Sequence, residues 1–142
     1  MSKEYREKAI KWFERSKKEN DIFIKFILYY ISFEILTKIR NLDKYTLNED
    51  IEGEFFKIVD SNILENLKSI LDERPLINML KSSKVVRLND IYDFQNILRF
   101  VNYGRNNLFH RDKSLDIERD KMVVNFGSQI LEKLIESIIN EK

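Results

Sequence analysis

The spacing of apolar residues along the chain predicts α-helices almost throughout. A first helix over about 3–18 places five residues on one face, which are Tyr5, Ala9, Trp12, Phe13 and Ser16. A second helix over about 21–40 is apolar nearly all round, and Asn20 or Asp21 can cap its N-terminus. We therefore expect this second helix to be central in a helical bundle. We also expect Trp12 and Phe13 to be core residues, not a platform for stacked bases.

Helical periodicity continues after a connector at 41–48. The further predicted helical segments are about 49–73, Pro75 to about Lys81, about 90–109 and about 118–140. Asp60-Ser61-Asn62 can interrupt the first of these, because such residues favour caps over helix interiors. Val85 and Val86 can be extended, but two residues do not make a sheet. The pattern predicts an all-α, up-and-down bundle of four or five helices, with a short helical insertion before the penultimate long helix.

The composition supports one helical domain over residues 1–142. Three glycines and one proline are too few for the many turns that sandwiches and barrels need. The chain has no cysteine, which excludes disulfides and thiol catalysis. It has one histidine, which disfavours a zinc site within one chain. We therefore expect no cofactor and no bound metal.

Charge and hydropathy favour a cytoplasmic protein. The formal net charge is +1, so any electrostatic preference for a partner must be local. The N-terminal residues mix charges and lack an apolar stretch, so we expect no signal peptide. The most apolar run, Phe26 to Phe33, is too short to span a bilayer, and we expect no membrane partner.

One position interrupts the apolar pattern of the penultimate long helix. The apolar positions on one seam of this helix are Ile91, Phe94, Leu98, Val101 and Leu108. Position 105 belongs to the same seam, and it is an arginine. A permanently charged guanidinium on an apolar seam is costly unless it is paired or faces water. Because such local inconsistencies are typical of functional sites, Arg105 is the first candidate residue.

The residues around Arg105 are polar and basic. Asn102, Asn106 and His110 follow one another at four-residue steps, which predicts a polar row beside the arginine. Residues 99–113 contain four basic residues and one acidic residue. Gly104 and the Asn106-Asn107 pair are poor helix formers, so we expect the helix to loosen near its end.

These side chains suit cleavage of RNA without a metal. An imidazole near its ordinary pKa can exchange a proton with an oxygen at neutral pH. A guanidinium can bind a phosphate and stabilise the charge that develops on its oxygens. Together they favour attack of a ribose 2′-hydroxyl, which only RNA carries, on the adjacent phosphodiester. A two-fold homodimer can bring the arginine and histidine of both chains into one cleft.

Around Arg105 the sequence resembles the HEPN family of small helical bundles, found in prokaryotic defence and toxin–antitoxin systems. The family motif is an arginine, a polar residue, a few further residues and a histidine. Arg105, Asn106 and His110 match it, near the end of the penultimate long helix. The segment from Tyr29 to Leu36 is similar, more loosely, to the aromatic-rich early helix of that family.

The resemblance implies a metal-independent endoribonuclease that acts as a homodimer, with Arg105, His110 and Asn106 as its catalytic residues. It also implies a cognate antitoxin or another protein as a partner. The residues predicted to contact the RNA substrate are Asn102, Arg99, Arg111 and Lys113. Exposed loop charges such as the last two are often only solvated.

Other interpretations of the same residues remain open. Arg105 can instead pair with an acid and cap the bundle. His110 can interact with the last helical carbonyl groups, and Asn106 can serve a fraying C-terminus. Glu34 can reach Arg105, although an ordinary surface pair with Lys38, four residues later, is preferred.

Two alternative functions follow from these interpretations. One is a non-catalytic HEPN-like module that binds a partner protein or nucleotide. The other is a purely structural dimer, in which Arg105→Leu would stabilise the fold and change nothing else.

Overall fold

Six α-helices and two short strands make up most of residues 3–77, 84–109 and 117–141, which are the residues described in this computed structural model. The helices are α1 (Lys3–Lys18), α2 (Ile22–Ile39), α3 (Glu49–Ile58), α4 (Ser61–Glu73), α5 (Phe94–Leu108) and α6 (Ile117–Asn140). The strands are β1 (Leu76–Ile77) and β2 (Val85–Val86). The predicted all-α bundle is confirmed, with more helices than expected.

Local capping explains where several helices begin. The Asp21 carboxylate accepts hydrogen bonds from the backbone N–H groups of Phe23 at 2.9 Å and Ile24 at 3.1 Å, which confirms it as the cap of α2. Asp60 caps α4 in the same way, and its side chain accepts from the N–H of Asn62. The predicted interruption at 60–62 therefore separates two helices, α3 and α4.

Helix α2 packs against both α1 and α6, and large side chains on it fill the centre of the core. Phe26 and Phe33 are completely buried. Gly127 on α6 permits the close approach, because a Cβ atom there would lie 2.5 Å from Cε1 of Phe26. Within the described residues, no helix is both long and apolar enough to cross a membrane.

The helical turn predicted after Pro75 is wrong over the described residues. Leu76 pairs with Val86 and Ile77 with Val85 in an antiparallel sheet. Leu76 and Val86 are buried, so each two-residue strand contributes one side chain to the core. The sheet is stable at this length because it packs against α5. The remainder of the predicted turn, to Lys81, falls among residues 78–83, outside the described ones.

Helix α5 begins later than predicted. Asp93 caps it and accepts a hydrogen bond from the N–H of Asn96, so the predicted cap at Asn89 or Asp90 is wrong. The helix continues without a break through Gly104 to Leu108. The expected loosening at Gly104 is not found, because this glycine serves packing. A Cβ atom at Gly104 would lie 3.0 Å from Cγ1 of Val123 on α6.

Candidate functional site

Arg105 lies at the edge of the buried face of α5, half-buried, with its guanidinium over two aromatic rings. Its Cζ atom is 5.8 Å from the ring centre of Tyr30 on α2 and 5.0 Å from that of Phe109. Within the described part of the chain, Arg105 has no carboxylate within 4.0 Å and makes no hydrogen bond. No described acid therefore pairs with Arg105. Its guanidinium contacts the two rings, and none of its N–H groups donates to a described residue.

Gly104 explains how an arginine fits on the seam of α5. The seam residues Phe94, Leu98 and Val101 are buried as predicted, and Gly104 is buried one turn further on. Because Gly104 packs against Val123 of α6, Arg105 lies beside the core, not inside it. The helix therefore avoids the cost of a fully buried charge.

Asn102, which was predicted to contact RNA, is a buried connection between three segments. Its side chain is 1% exposed. Its Oδ1 accepts a hydrogen bond from the Tyr30 hydroxyl at 2.6 Å, and its Nδ2 donates to the carbonyl oxygens of Leu98 at 2.8 Å and Lys44 at 3.2 Å. All of its strong hydrogen-bonding groups are occupied. In this arrangement Asn102 positions the residues around it and offers no accessible surface to RNA.

Asn106, the second residue of the motif, is partly exposed and contacts the connector after α2. Its side chain lies beside the hydroxyl of Tyr45. Burial raises the pKa of Tyr45, and the neighbouring Asn106 side chain opposes that rise. The phenol therefore stays neutral at physiological pH.

Two charged residues also lie near the Tyr30 ring, a glutamate on α2 and a lysine on the connector that follows it. Lys44 Nζ lies 3.5 Å from Oε2 of Glu34 and 5.6 Å from the centre of the Tyr30 ring. Glu34 thus pairs with Lys44, because the connector folds back over α2. The pair of Glu34 with Lys38 that the sequence favoured is wrong. Burial, and secondly the charge of Glu34, raise the pKa of Tyr30.

The end of α5 is fixed to the sheet beside the site. Asn107 is buried, and its Nδ2 donates to the carbonyl oxygen of Ile77 on β1 at 2.7 Å. The next aromatic residue, Phe109, is 57% exposed although its ring lies beside the Arg105 guanidinium. The described site therefore presents an arginine and an exposed aromatic ring on one surface.

The remaining predicted site residues are only partly placed. Arg99 is exposed on α5, where its guanidinium donates to the side chain of Asn96 at 2.8 Å. His110, Arg111 and Lys113 lie outside the described residues, so their roles stay predictions. No group of three or more His, Cys, Asp or Glu side chains arranged to hold a metal occurs within 3–77, 84–109 and 117–141.

Sequence reasoning missed the residues that hold the motif in place. Tyr30 donates to Asn102 across 72 positions, and the carbonyl oxygen of Lys44 accepts from Asn102 across 58 positions. The one available signal was the presence of two adjacent tyrosines within the most apolar helix. A buried phenol needs a polar partner, and a search for that partner leads to Asn102.

Comparison of the chain with protein-family models, with curated proteins and with solved structures finds no match in any of the three.

Proposed function

We propose that this protein is a metal-independent endoribonuclease of the HEPN type, which cleaves RNA at a site shared by two copies of the chain. The observation that carries the proposal is the state of Arg105. Its guanidinium is fixed over two rings, faces the surface and has no anionic partner among the described residues. A fixed, unpaired guanidinium is suited to bind a phosphate and the charge that develops on it during cleavage.

The proposed roles follow the chemistry of RNA cleavage by its own 2′-hydroxyl. Arg105 binds the non-bridging phosphate oxygens. His110 transfers a proton between the 2′-oxygen and the leaving 5′-oxygen, with Asn106 orienting the reacting groups. Attack by the 2′-oxygen forms a bond to phosphorus as the bond to the 5′-oxygen breaks. The products are a 2′,3′-cyclic phosphate and a 5′-hydroxyl, and no water is consumed in this step.

The dimer is proposed because one face of α2 is apolar and partly exposed. Ile24, Ile27, Leu28 and Ile31 share that face, and none belongs to the core cluster or to the partly buried residues packed against it. Ile27 precedes Tyr30 by three residues, so the face lies beside the ring that supports Arg105. Ile24 is 46% exposed and the other three are partly exposed, and contiguous apolar surface that reaches solvent is typical of protein interfaces. A second copy would bring two sites close together.

The cleavage experiment uses a mixed-sequence RNA labelled at one end, incubated with purified protein and a chelator. We expect cleavage to persist and to leave a 2′,3′-cyclic phosphate. Arg105→Ala should lower the rate by about 10²–10³-fold, as loss of a charge-stabilising donor does. Arg105→Lys should restore only part of it, because an ammonium lacks the planar fork. His110→Ala should be inactive.

The matched control for this experiment is Arg15→Ala, which removes an exposed arginine from α1. It should cleave at the wild-type rate, and an RNA with 2′-deoxy substitution at the cleaved position should stay intact. Cleavage by Arg105→Ala at the wild-type rate, or wild-type protein that cuts no RNA under any condition, would rule out the proposed activity.

The dimer is tested separately by sedimentation. Ile31→Glu places a charge on the apolar face of α2 that Ile24, Ile27 and Leu28 share. This variant should be a monomer that cleaves RNA poorly. The matched control is Val85→Glu, because Val85 lies on the sheet and is 54% exposed. This variant should stay dimeric. If Val85→Glu dissociates the protein and Ile31→Glu does not, the interface is on the sheet and the proposed face is wrong.

The second candidate is a non-catalytic HEPN-like module that binds a partner protein or nucleotide. The exposed Phe109 ring beside a cation favours it, since aromatic and arginine side chains are enriched at binding hot spots. Its signature would be a complex that persists in the double variant Arg105→Ala with His110→Ala, together with no cleavage by wild-type protein.

A further inference from the structure

A polar cavity that Arg105 does not line lies beside α2. It has a volume of about 250 Å³ and opens between the start of α2 and the middle of α6. Its walls include Lys25 and Tyr29 from α2, and Ser128, Gln129 and Glu132 from α6. The Tyr29 ring faces α1, where it contacts Phe13 at 5.9 Å, whereas the next residue along α2 supports Arg105. The cavity is therefore separate from the proposed RNA site.

Two hydroxyl groups in this cavity have no hydrogen-bond partner among the described residues. Ser128 is 7% exposed, and its Oγ is buried and unbonded. The hydroxyl of the buried Tyr29 likewise makes no hydrogen bond with any described residue. Burial, and secondly the charge of Glu132, raise the pKa of Tyr29, so this hydroxyl stays protonated and able to donate.

The other buried serines of the bundle show that Ser128 is an exception. Ser16 donates to the carbonyl oxygen of Trp12, Ser32 to that of Ala9 and Ser137 to that of Lys133, all within 2.8 Å. Ser128 lies in the same kind of helical environment, and it does not bond back to its own helix. An unsatisfied buried hydroxyl destabilises the fold, so its retention needs a reason. A bound ligand that completes its hydrogen bond supplies one.

Two charged side chains of the cavity have no ion-pair partner among the described residues. Lys25 and Glu132 face the same space from different helices, and neither has an ion-pair partner in the described part of the chain. Glu19, at the rim, is already engaged, because it accepts from the N–H of Asp21 and lies 3.5 Å from Arg15. The cavity therefore offers one available positive group and one available negative group.

We propose that this cavity binds a small zwitterion of the α-amino acid type, with its carboxylate on Lys25, its ammonium group on Glu132 and hydrogen bonds from Tyr29 and Ser128. A phosphate or nucleotide suits it less, because two carboxylates line the cavity against one lysine. A polyamine also suits the cavity less, because its positive charges would repel the ammonium group of Lys25. The volume lies below the roughly 300–1,000 Å³ of sites for drug-sized molecules, which fits a ligand as small as an amino acid.

The test is thermal denaturation and calorimetric titration of the full chain with each of the common amino acids in turn. Putrescine and inorganic phosphate are the comparison ligands at the same pH and ionic strength. We expect at least one amino acid to raise the melting temperature with increasing concentration, as mass action requires. Neither comparison ligand should do so. The same amino acid should bind Arg105→Ala as tightly as wild type, since this site does not depend on RNA cleavage.

Three variants locate the binding. Glu132→Gln and Lys25→Met should each weaken binding by about tenfold or more, which corresponds to the loss of one charged hydrogen bond. Ser128→Ala should weaken binding as well, and it should leave the free protein equally or more stable because the orphan hydroxyl is gone. The matched controls Glu65→Gln and Lys57→Met, both exposed on other helices, should bind like wild type.

Several results would overturn the proposal. These are no response to any amino acid, a response only to putrescine or phosphate, or binding that is unchanged in both Glu132→Gln and Lys25→Met. A clear loss of stability in ligand-free Ser128→Ala would also contradict it, because that result would mean the hydroxyl is satisfied within the protein.

Discussion

Replacing Tyr30 with phenylalanine removes one hydroxyl from the interior directly beside Arg105. That hydroxyl donates to Oδ1 of Asn102 at 2.6 Å, and both side chains are buried. Phenylalanine keeps the ring, so the support for the Arg105 guanidinium and the contact with Phe33 stay in place. The substitution therefore isolates the hydrogen bond from the packing.

The expected loss of unfolding free energy follows from the acceptor on Asn102 that loses its donor. Oδ1 of Asn102 becomes a buried acceptor without a partner, which costs about 1–3 kcal/mol of unfolding free energy. For 142 residues, an unfolding entropy of about 2.1 cal/mol/K per residue gives about 0.3 kcal/mol per degree. We therefore expect the melting temperature to fall by about 3–10 °C in Tyr30→Phe.

Urea denaturation measures the free energy directly, and Tyr92→Phe is the matched control. Tyr92 is 63% exposed, so losing its hydroxyl should cost almost nothing. A double-mutant cycle with Asn102→Ala should give a coupling energy of about 0.5–3 kcal/mol. A Tyr30→Phe variant as stable as Tyr92→Phe, or a coupling energy near zero, would refute the reasoning.

Three further predictions concern packing, the sheet and ionisation. Gly127→Ala should destabilise the fold by about 1–3 kcal/mol, because its Cβ atom would overlap Phe26. Gly53→Ala should stabilise α3 by about 0.5–1 kcal/mol, because nothing lies within 4 Å of its new Cβ atom. If urea denaturation shows that both glycine variants change the unfolding free energy in the same direction, these two predictions are contradicted. Asn107→Ala removes the bond to the Ile77 carbonyl, and hydrogen exchange should then become faster in both strands than in α1. Three tyrosines have raised pKa values in the folded state and ordinary values near 10.0 in the unfolded chain, namely Tyr29, Tyr30 and Tyr45. These tyrosines are protonated in both states below about pH 10, so their contribution to stability should be constant there and should be lost as the pH rises further. Absorbance at 295 nm should show Tyr29 and Tyr30 ionising only with unfolding, and titration of all six tyrosines near pH 10 in the folded protein would contradict this.

Much of the helical framework could be predicted because its signals are local. The predicted first helix, about 3–18, coincides with α1, and α2 lies within one residue of its predicted bounds at each end. Period-3.6 apolar spacing and capping by Asp21 act within one segment, so a single sequence suffices to recognise them.

The sequence allowed Val85 and Val86 to be extended, but it did not predict a sheet, because two residues are too few to favour strand pairing on their own. Leu76 and Val86 become strand residues only when α5 provides a surface to pack on and Asn107 binds the Ile77 carbonyl. Such pairing depends on tertiary context more than on intrinsic propensity.

The candidate site divides in the same way. Arg105 was selected as a candidate from the sequence because it departs from a regular apolar seam, and Asn102 and Asn106 lie on the same helix, as predicted. The depth and partners of these side chains were decided only by the tertiary structure. Tyr30 reaches Asn102 across 72 positions, Tyr45 reaches Asn106 from a connector, and Gly104 leaves Arg105 at the edge of the core. A helical period fixes which residues share a face. What that face meets depends on contacts between distant segments, which no local pattern encodes.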